Sequence, residues 1–358
     1  MTTIERANAF IRLGSFLDAY LQRMRTGPGE LPGADPDDAL LTSAIRSTLN
    51  SNPWFILPNV VLSLQSIACS LDEEEVVSFV QIYINDVKEA KDPASVCVIM
   101  AGNIPLVGFH DFFCVLLSGN RFIGKLSQDD RHLLPALARL LIRWFPDLER
   151  LIIFSEDVRT SFDAVIATGS NNSSRYFEYY FSKYPHIIRK SRNSVAVLDG
   201  TETPDELKQL GADVFSHFGR GCRSVSQIFV PAGYEPESIF PCWTSYQYVM
   251  DHHKYRNNYD YQKSVLIIND ISFLDSGQIL LIRNTAFSSP VAVMHFDFYD
   301  DLSEVATLLR SNYDRIQCIV SKNPALHDRI PFGKAQQPSL FDFADRIDTM
   351  RFLILRSK

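Results

Sequence analysis

No stretch of this chain carries the ~18–20 uninterrupted apolar residues that a membrane-spanning helix requires. The longest candidates are broken by His110 and Asp111, or by Arg139 and Arg143. The first twenty residues hold Glu5, Arg6, Arg12 and Asp18 among their apolar side chains, which excludes the apolar core of a secretory signal. Cysteine is scarce, six in 358 residues with no CxxC pair, so neither a disulfide framework nor a metal site is expected. Positive charge is not in excess. The 35 Lys and Arg stand against 42 Asp and Glu, a net charge of −7, which argues against a surface built to grip nucleic acid. Low-complexity runs and short-period repeats are absent. A cytoplasmic protein is expected, without a membrane span or a nucleic-acid partner.

What the chain does have is apolar content, 46% of its residues, enough for about two domains with full-sized cores. The first ninety residues read mostly as helix. Ile4, Ala7, Phe10, Ile11, Phe16 and Leu17 recur at helical spacing, a Gly/Pro/Asp-rich loop covers Gly27–Asp38, and further helices are predicted at Ala39–Asn50 and Leu57–Leu71. From Val96 the rhythm becomes strand, loop, helix, strand. Strands are predicted at Val96–Met100, Arg121–Lys125, Leu151–Phe154 and Ala164–Ala167. An apolar helix ends before Gly119, which suits a left-handed residue past a helix end. Another helix covers Arg131–Trp144, and Ser170 is placed to cap one over Asn171–Lys183. The second half continues with strands at Ser194–Leu198, Gln227–Val230, Ser264–Ile268, Val291–Phe296 and Ile316–Val320. Helices there are predicted at Pro204–Phe218, Glu235–Asp251 and Leu302–Ser311. This alternation implies an α/β chain with two lobes, each a mainly parallel sheet flanked by helices.

Four segments carry potential chemistry. Cys222 lies in Phe218-Gly219-Arg220-Gly221-Cys222-Arg223-Ser224, where glycines let a substrate approach and two arginines stand near in sequence. Positive charge raises the thiolate fraction, so a nucleophile is one reading and a buried turn cysteine the other. Cys69, Cys97, Cys114 and Cys318 fall in apolar runs and read as small hydrophobes. Gly102-Asn103-Ile104-Pro105-Leu106 follows a strand, where ligands of open α/β sheets gather. There the Asn103 amide either donates to a developing oxyanion or caps a turn. Lys125 ends a strand, and Thr168-Gly169-Ser170 opens a helix whose amino terminus suits phosphate.

Taken in order, these segments resemble the aldehyde dehydrogenase superfamily, and within it the acyl-CoA reductase branch typified by luciferase-linked fatty acyl reductases. Gly102–Leu106 is similar to the segment bearing the oxyanion asparagine. Ser118-Gly119-Asn120 through Lys125 resembles the strand whose lysine holds the cofactor ribose. Ala167–Ser170 resembles the turn at the cofactor phosphates, and Phe218–Cys222 the loop of the nucleophilic cysteine. Pro331-Phe332-Gly333-Lys334 resembles the late "PFGG" segment, with Lys334 in place of its second glycine. Asn50-Pro53-Trp54-Phe55 and the tail Phe343-Ala344-Asp345 through Phe352 are also similar to the reductase branch.

The resemblance implies Cys222 and Asn103 as catalytic residues, with Lys125, Thr168, Gly169 and Ser170 binding NADPH or NADH. It implies three regions: a helical and cofactor-binding part at 1–198, a cysteine domain at 199–330, and a return segment at 331–358. A homodimer paired through a terminal strand at Arg351–Leu355 is implied as well. Two departures stand out, the first sharpening the function and the second counting against the family's usual cofactor pose. Tyr179 through Leu198 contains neither Asp nor Glu, so the glutamate with which hydrolytic relatives activate water has no counterpart. Ala286 stands nearest to where the family's ribose-binding glutamate falls, in Ala286-Phe287-Ser288-Ser289-Pro290.

The expected activity is therefore reduction of an acyl-CoA or acyl-carrier thioester to an aldehyde through an acyl-cysteine. An acyl synthetase or transferase would be a natural partner, and His217 is a candidate proton donor. Conventional aldehyde oxidation, and a non-reducing acyl carrier of the same fold, are the competing readings.

Overall fold

The computed structural model describes residues 1–26, 31–87, 92–156 and 161–355. They divide into two units, Met1–Lys190 together with Gln337–Lys358, and Ser191–Gln336. The boundaries expected from sequence are 198 and 330. The structure instead places the strand at Asn193–Val197 and the Pro331–Gln336 stretch with the cysteine-bearing unit. Of the expected loop at Gly27–Asp38, residues 27–30 lie outside the described residues.

The first unit opens with four helices, α1 (Thr3–Thr26), α2 (Pro36–Ser51), α3 (Leu57–Ser70) and α4 (Glu73–Tyr83). Asp35 and Asp72 start α2 and α4 by accepting the Asp37 and Glu74 N–H groups, which a helix end otherwise leaves unpaired. There follow β1 (Ser95–Ile99), α5 (Phe109–Leu117), β2 (Arg121–Lys125), α6 (Leu133–Trp144), β3 (Ile152–Phe154), β4 (Ala164–Thr168), α7 (Asn171–Phe181) and β5 (His186–Arg189). The sheet is wholly parallel, in the order β3-β2-β1-β4-β5. Chain direction across the sheet reverses between β1 and β4, the point at which open α/β sheets leave a crevice.

Alternation along β1 sends Val96 and Val98 into a core shared with the amino-terminal helices, α5 and α6, while Cys97 faces Phe162, Val165, Ala167 and Phe181 on the other side. Each such buried apolar side chain contributes about 1.5–3 kcal/mol. Phe10 of α1 meets Phe109, Phe112 and Phe113 of α5 edge-on, the tightest pair with ring centroids 4.8 Å apart, which fastens the helical segment to the sheet layer. Gly119 takes φ +82°, and the Gly119 and Asn120 N–H groups close α5 onto Leu116 and Val115. This double closure is why glycine is needed there.

The second unit contains β6 (Asn193–Val197), α8 (Pro204–Phe215), β7 (Val225–Pro231), α9 (His253–Ile268), β8 (Leu274–Asp275), β9 (Leu280–Arg283), β10 (Val293–Tyr299), α10 (Leu302–Ser311), β11 (Ile316–Val320) and β12 (Arg329–Ile330). Its sheet runs β12-β11-β6-β7-β10-β9-β8, parallel except for the β8–β9 pair. Thr203 and Glu206 form a capping box at the start of α8. The α/β architecture with parallel sheets and a helical amino-terminal segment agrees with the expectation from sequence.

Four local expectations are corrected. Ser264–Ile268 is the last part of α9 and not a strand. A short apolar run does not distinguish the two by itself. Here Tyr255, Tyr259 and Leu266 form the buried face, while Ile267 and Ile268 are exposed. The strand position is filled by β9. Pro236–Asp251 winds as 3₁₀ turns in place of an α-helix, with Pro241 inside it lacking the N–H that an α-helix would use. Cys69 is exposed on α3, outside the core assigned to it. Finally, the terminal strand at Arg351–Leu355 belongs to a helix, α11 (Thr349–Ile354). Asp348 caps it through the Arg351 N–H, and Met350 and Leu353, three apart, are buried. The proposed dimer-pairing strand therefore does not exist as a strand. Among the described residues no helix is long and apolar enough to cross a membrane.

Candidate active site

In the first unit, three expected segments emerge at the carboxyl ends of neighbouring parallel strands. Ile99 of β1 lies beside Lys125 of β2 on one side and Ala167 of β4 on the other. The loop Ala101–Leu106 leaves β1 and meets the turn that follows Lys125. Gly102 is buried so tightly against this turn that a Cβ would stand 2.4 Å from Ser127 Oγ. Leu106 takes φ +60° and donates its N–H to Asp130 Oδ2 at 2.6 Å. The turn is braced in turn by Asn52, whose Nδ2 donates to the Asp129 carbonyl at 3.1 Å. Asn103 is half-buried between these anchor points.

Lys125, half-buried, lines a cavity of about 970 Å³ with Met100, Ser127 and Gln128 on one wall and the Tyr176 and Tyr180 rings of α7 among the others. Ser170 caps α7 by accepting the Ser173 N–H at 3.2 Å, as its sequence position suggested. Gly169 donates to the Arg189 carbonyl at 3.3 Å, and a Cβ on it would stand 2.9 Å from Phe177. Thr168–Ser170 thus borders the cavity through Phe177, without itself lining it.

Arg189 lies in Tyr179–Leu198, the stretch without an acidic residue. It is buried, paired with the equally buried Asp111 of α5, and donates from Nη2 to Thr349 Oγ1 at 3.0 Å. This segment fastens α11 to the sheet.

In the second unit, Cys222 follows a sharp break after α8. His217, Phe218 and Gly219 adopt φ +53°, +58° and +70° in succession. Left-handed conformations cost non-glycine residues roughly 1–2 kcal/mol each, so this turn persists only because its surroundings hold it. Phe218 is buried against His252, with ring centroids 4.5 Å apart. Cys222 is half-exposed, and its carbonyl accepts the Ser194 hydroxyl at 2.9 Å, fixing the loop to β6. By contrast, burial pushes the Cys97 thiol up to about 11 and that of Cys114 well above the ordinary value. Those two are core residues, as their apolar surroundings indicated.

The Pro331–Lys334 stretch is fastened to the Cys222 loop within the same unit. Arg223 Nε donates to the Ala335 carbonyl, and Asp213 of α8 accepts the Gly333 and Ala335 N–H groups at 2.7 and 2.9 Å. Gly333 takes φ +76°, whereas Lys334 is exposed. Burial pushes the Asp213 carboxyl up to about 7, against the two N–H groups and Arg223, which lower it. Asp213→Ala strands two backbone donors, each worth about 1–3 kcal/mol, and water reaches only the half-exposed Gly333. Stability should fall by about 2 kcal/mol, read as an earlier denaturant midpoint. Because the folded carboxyl titrates above the unfolded value of 3.8, its contribution is fullest at acid pH and is lost as pH rises towards 7. Asp213→Asn should flatten that slope.

His217 is buried and pushed down to about 4 by burial, so it is neutral near pH 7. That counts against a protonated His217 as the proton donor, and its place in the left-handed turn gives it a structural role. Ala286 is exposed and accepts from the His295 ring at 2.7 Å through its carbonyl, and 284–290 contains no carboxylate. Asp130, Asp213 and Asn52 were not singled out from sequence. Their residue types are common in loops, and only tertiary burial marks them.

Residues 81–239 match the model of the acyl-CoA reductase (LuxC) family. No curated protein matches this sequence. Among solved structures, aldehyde dehydrogenase 21 from Physcomitrella patens, in complex with its reaction product succinate, is similar at TM-score 0.65 and 9% identity. That likeness covers 100% of this chain and 85% of that one. An NAD+ complex of aldehyde dehydrogenase from Bacillus cereus gives 0.56 at 14% identity, over 91% and 73%. The Mycobacterium tuberculosis aldehyde dehydrogenase with NAD+ gives 0.52 at 13%, over 87% and 78%. The chain has the aldehyde dehydrogenase fold.

Proposed function

We propose that this chain, which has the aldehyde dehydrogenase fold and matches the acyl-CoA reductase (LuxC) family over residues 81–239, reduces acyl thioesters to aldehydes. The observation that carries the reading is Cys222, a half-buried cysteine held just beyond three successive left-handed residues. The family match and the fold support the coarser statement of an oxidoreductase acting on aldehyde or acyl groups.

In this reading the Cys222 thiolate attacks the thioester carbonyl, a C–S bond forms, and the carrier thiolate leaves. The Asn103 amide and the Cys222 N–H donate to the oxyanion, interactions of which one alone is typically worth ~2.7–4 kcal/mol. The nicotinamide cofactor fits the first unit on two grounds. The cavity of about 970 Å³ stands at the strand ends where the sheet order reverses, and it offers aromatic walls beside one amine. Lys125 would hold the ribose, and Thr168–Ser170 with the start of α7 the phosphates. A reduced nicotinamide held there would supply the hydride.

Arg189, buried and paired with Asp111, offers no base, and 179–198 contains no carboxylate to activate water. Cys222 is therefore suited to hand its acyl group to and from a thiol. The test is aldehyde formation from short to long acyl-CoAs with NADH and with NADPH. Aldehyde production that needs the thioester is expected. Rapid acid formation from aldehyde and NAD(P)+ without CoA would overturn the reading in favour of conventional oxidation.

A further inference from the structure

Asp130 is almost wholly buried, 7% exposed, yet only one of its carboxylate oxygens is used. Oδ2 accepts the Leu106 N–H at 2.6 Å, while Oδ1 has no partner among the described residues. An unpaired buried carboxylate oxygen is costly, so a residue needed only for packing would not be expected to be an aspartate. Its single bond falls on the one residue of the Ala101–Leu106 loop that holds a left-handed conformation, Leu106 at φ +60°.

The loop touches the turn after Lys125 at two places. Gly102 is in close contact with Ser127 and Asp129, and Leu106 is bonded to Asp130. Asn103 lies between them in sequence, so the path of its backbone is set by both ends. The first end rests on steric fit. The second rests on one charge-assisted hydrogen bond, and such bonds are roughly twice as strong as neutral ones. The turn itself is internally tied, with Ser127 accepting the Asp129 and Asp130 N–H groups at 3.2 Å each and Asn52 bonded to Asp129. Asp130 therefore reaches Leu106 from a fixed platform.

We propose that Asp130 is a positioning residue for Asn103, holding the Asn103 loop in the shape that acyl transfer to Cys222 requires. This rests on the reductase reading above. Titration gives it a signature. Burial pushes the carboxyl up to about 6, opposed only by the Leu106 N–H, and no charged neighbour adds to the shift. The titratable groups on its own segment are Lys125, Asp129, Arg131 and His132, while the Ala101–Leu106 loop and the 52–55 turn carry none. As pH falls through about 6 the carboxylate gains a proton, the bond to Leu106 becomes a neutral one, and the loop loosens.

The test measures acylation of Cys222 by acyl-CoA without cofactor, alongside hydrogen exchange of the 102–106 amides, in wild type, Asp130→Ala and Asp130→Asn. Asp130→Ala should slow acylation by ~10–100-fold, as a misplaced catalytic group does, and leave NADPH binding unchanged. Its Leu106 amide should exchange faster. Asp130→Asn presents Leu106 with the same neutral acceptor as the protonated aspartate, so at pH 7 it should acylate at the reduced rate that wild type reaches only below about pH 6, and it should show no fall in rate around that pH. An Asp130→Ala variant that matches a normally acylating wild type overturns the inference alone, as does an Asn variant with the acidic limb intact. Wild-type protein that takes up no acyl group overturns the reductase reading, and this inference with it.

Discussion

Cys222→Ser should reduce aldehyde formation from acyl-CoA by ~10³-fold or more while leaving the thermal midpoint unchanged. The hydroxyl is a far weaker nucleophile than a thiolate near neutral pH, and a half-exposed side chain exchanged for a near-isostere disturbs little packing. The left-handed turn at His217–Gly219 and the Ser194 bond to the Cys222 carbonyl involve no part of the sulfur, so the loop keeps its shape. Intact-protein mass spectrometry after incubation with acyl-CoA is the direct check. Wild type should gain one acyl group and the variant none. Near-normal turnover in the variant would remove Cys222 from the chemistry.

Arg189→Met should be the most destabilising of the substitutions considered. It leaves Asp111, 3% exposed, as an uncompensated buried charge whose Oδ1 already lacks a partner among the described residues, and it takes a donor from Thr349. Breaking one side of such a pair costs about 3–5 kcal/mol. The double variant Asp111→Leu/Arg189→Met should recover most of the loss, since two apolar side chains of similar volume replace the pair without stranding a charge. Equilibrium denaturation of the single and double variants reads this directly. A single-variant loss below about 1 kcal/mol would mean that the pair is solvated in solution. Limited proteolysis should also find α11 more accessible in Arg189→Met, because Thr349 opens that helix.

This pair also shows where reading by residue type stops. From sequence, Ile188–Asn193 stands out only for lacking a carboxylate. The fold turns Arg189 inward from the last strand of the sheet to a helix 78 positions away. No local pattern encodes that partner. Ser264–Ile268 illustrates the opposite error: five residues rich in β-branched side chains satisfy a strand pattern, but Tyr259 and Tyr255, seven and eleven positions before Leu266, share one buried helix face with it. Arg351–Leu355 shows the same ambiguity, since an apolar terminal run says nothing of Asp348 capping a helix before it.

The amino-acid sequence by itself determined the α/β alternation, most strand positions, the left-handed glycine after α5 and the Ser170 cap, and it singled out Cys222 as a candidate nucleophile. These follow from hydrophobic period and turn chemistry, which act over a few residues. Only the tertiary structure decided that Asp130 and Asp213 are buried carboxylates holding the Asn103 loop and the Pro331–Gln336 stretch, that His217 is neutral, and that Lys125 faces an aromatic cavity. Those properties depend on desolvation and on partners distant in sequence, and an aspartate in a polar run looks the same whether water or a backbone N–H will meet it.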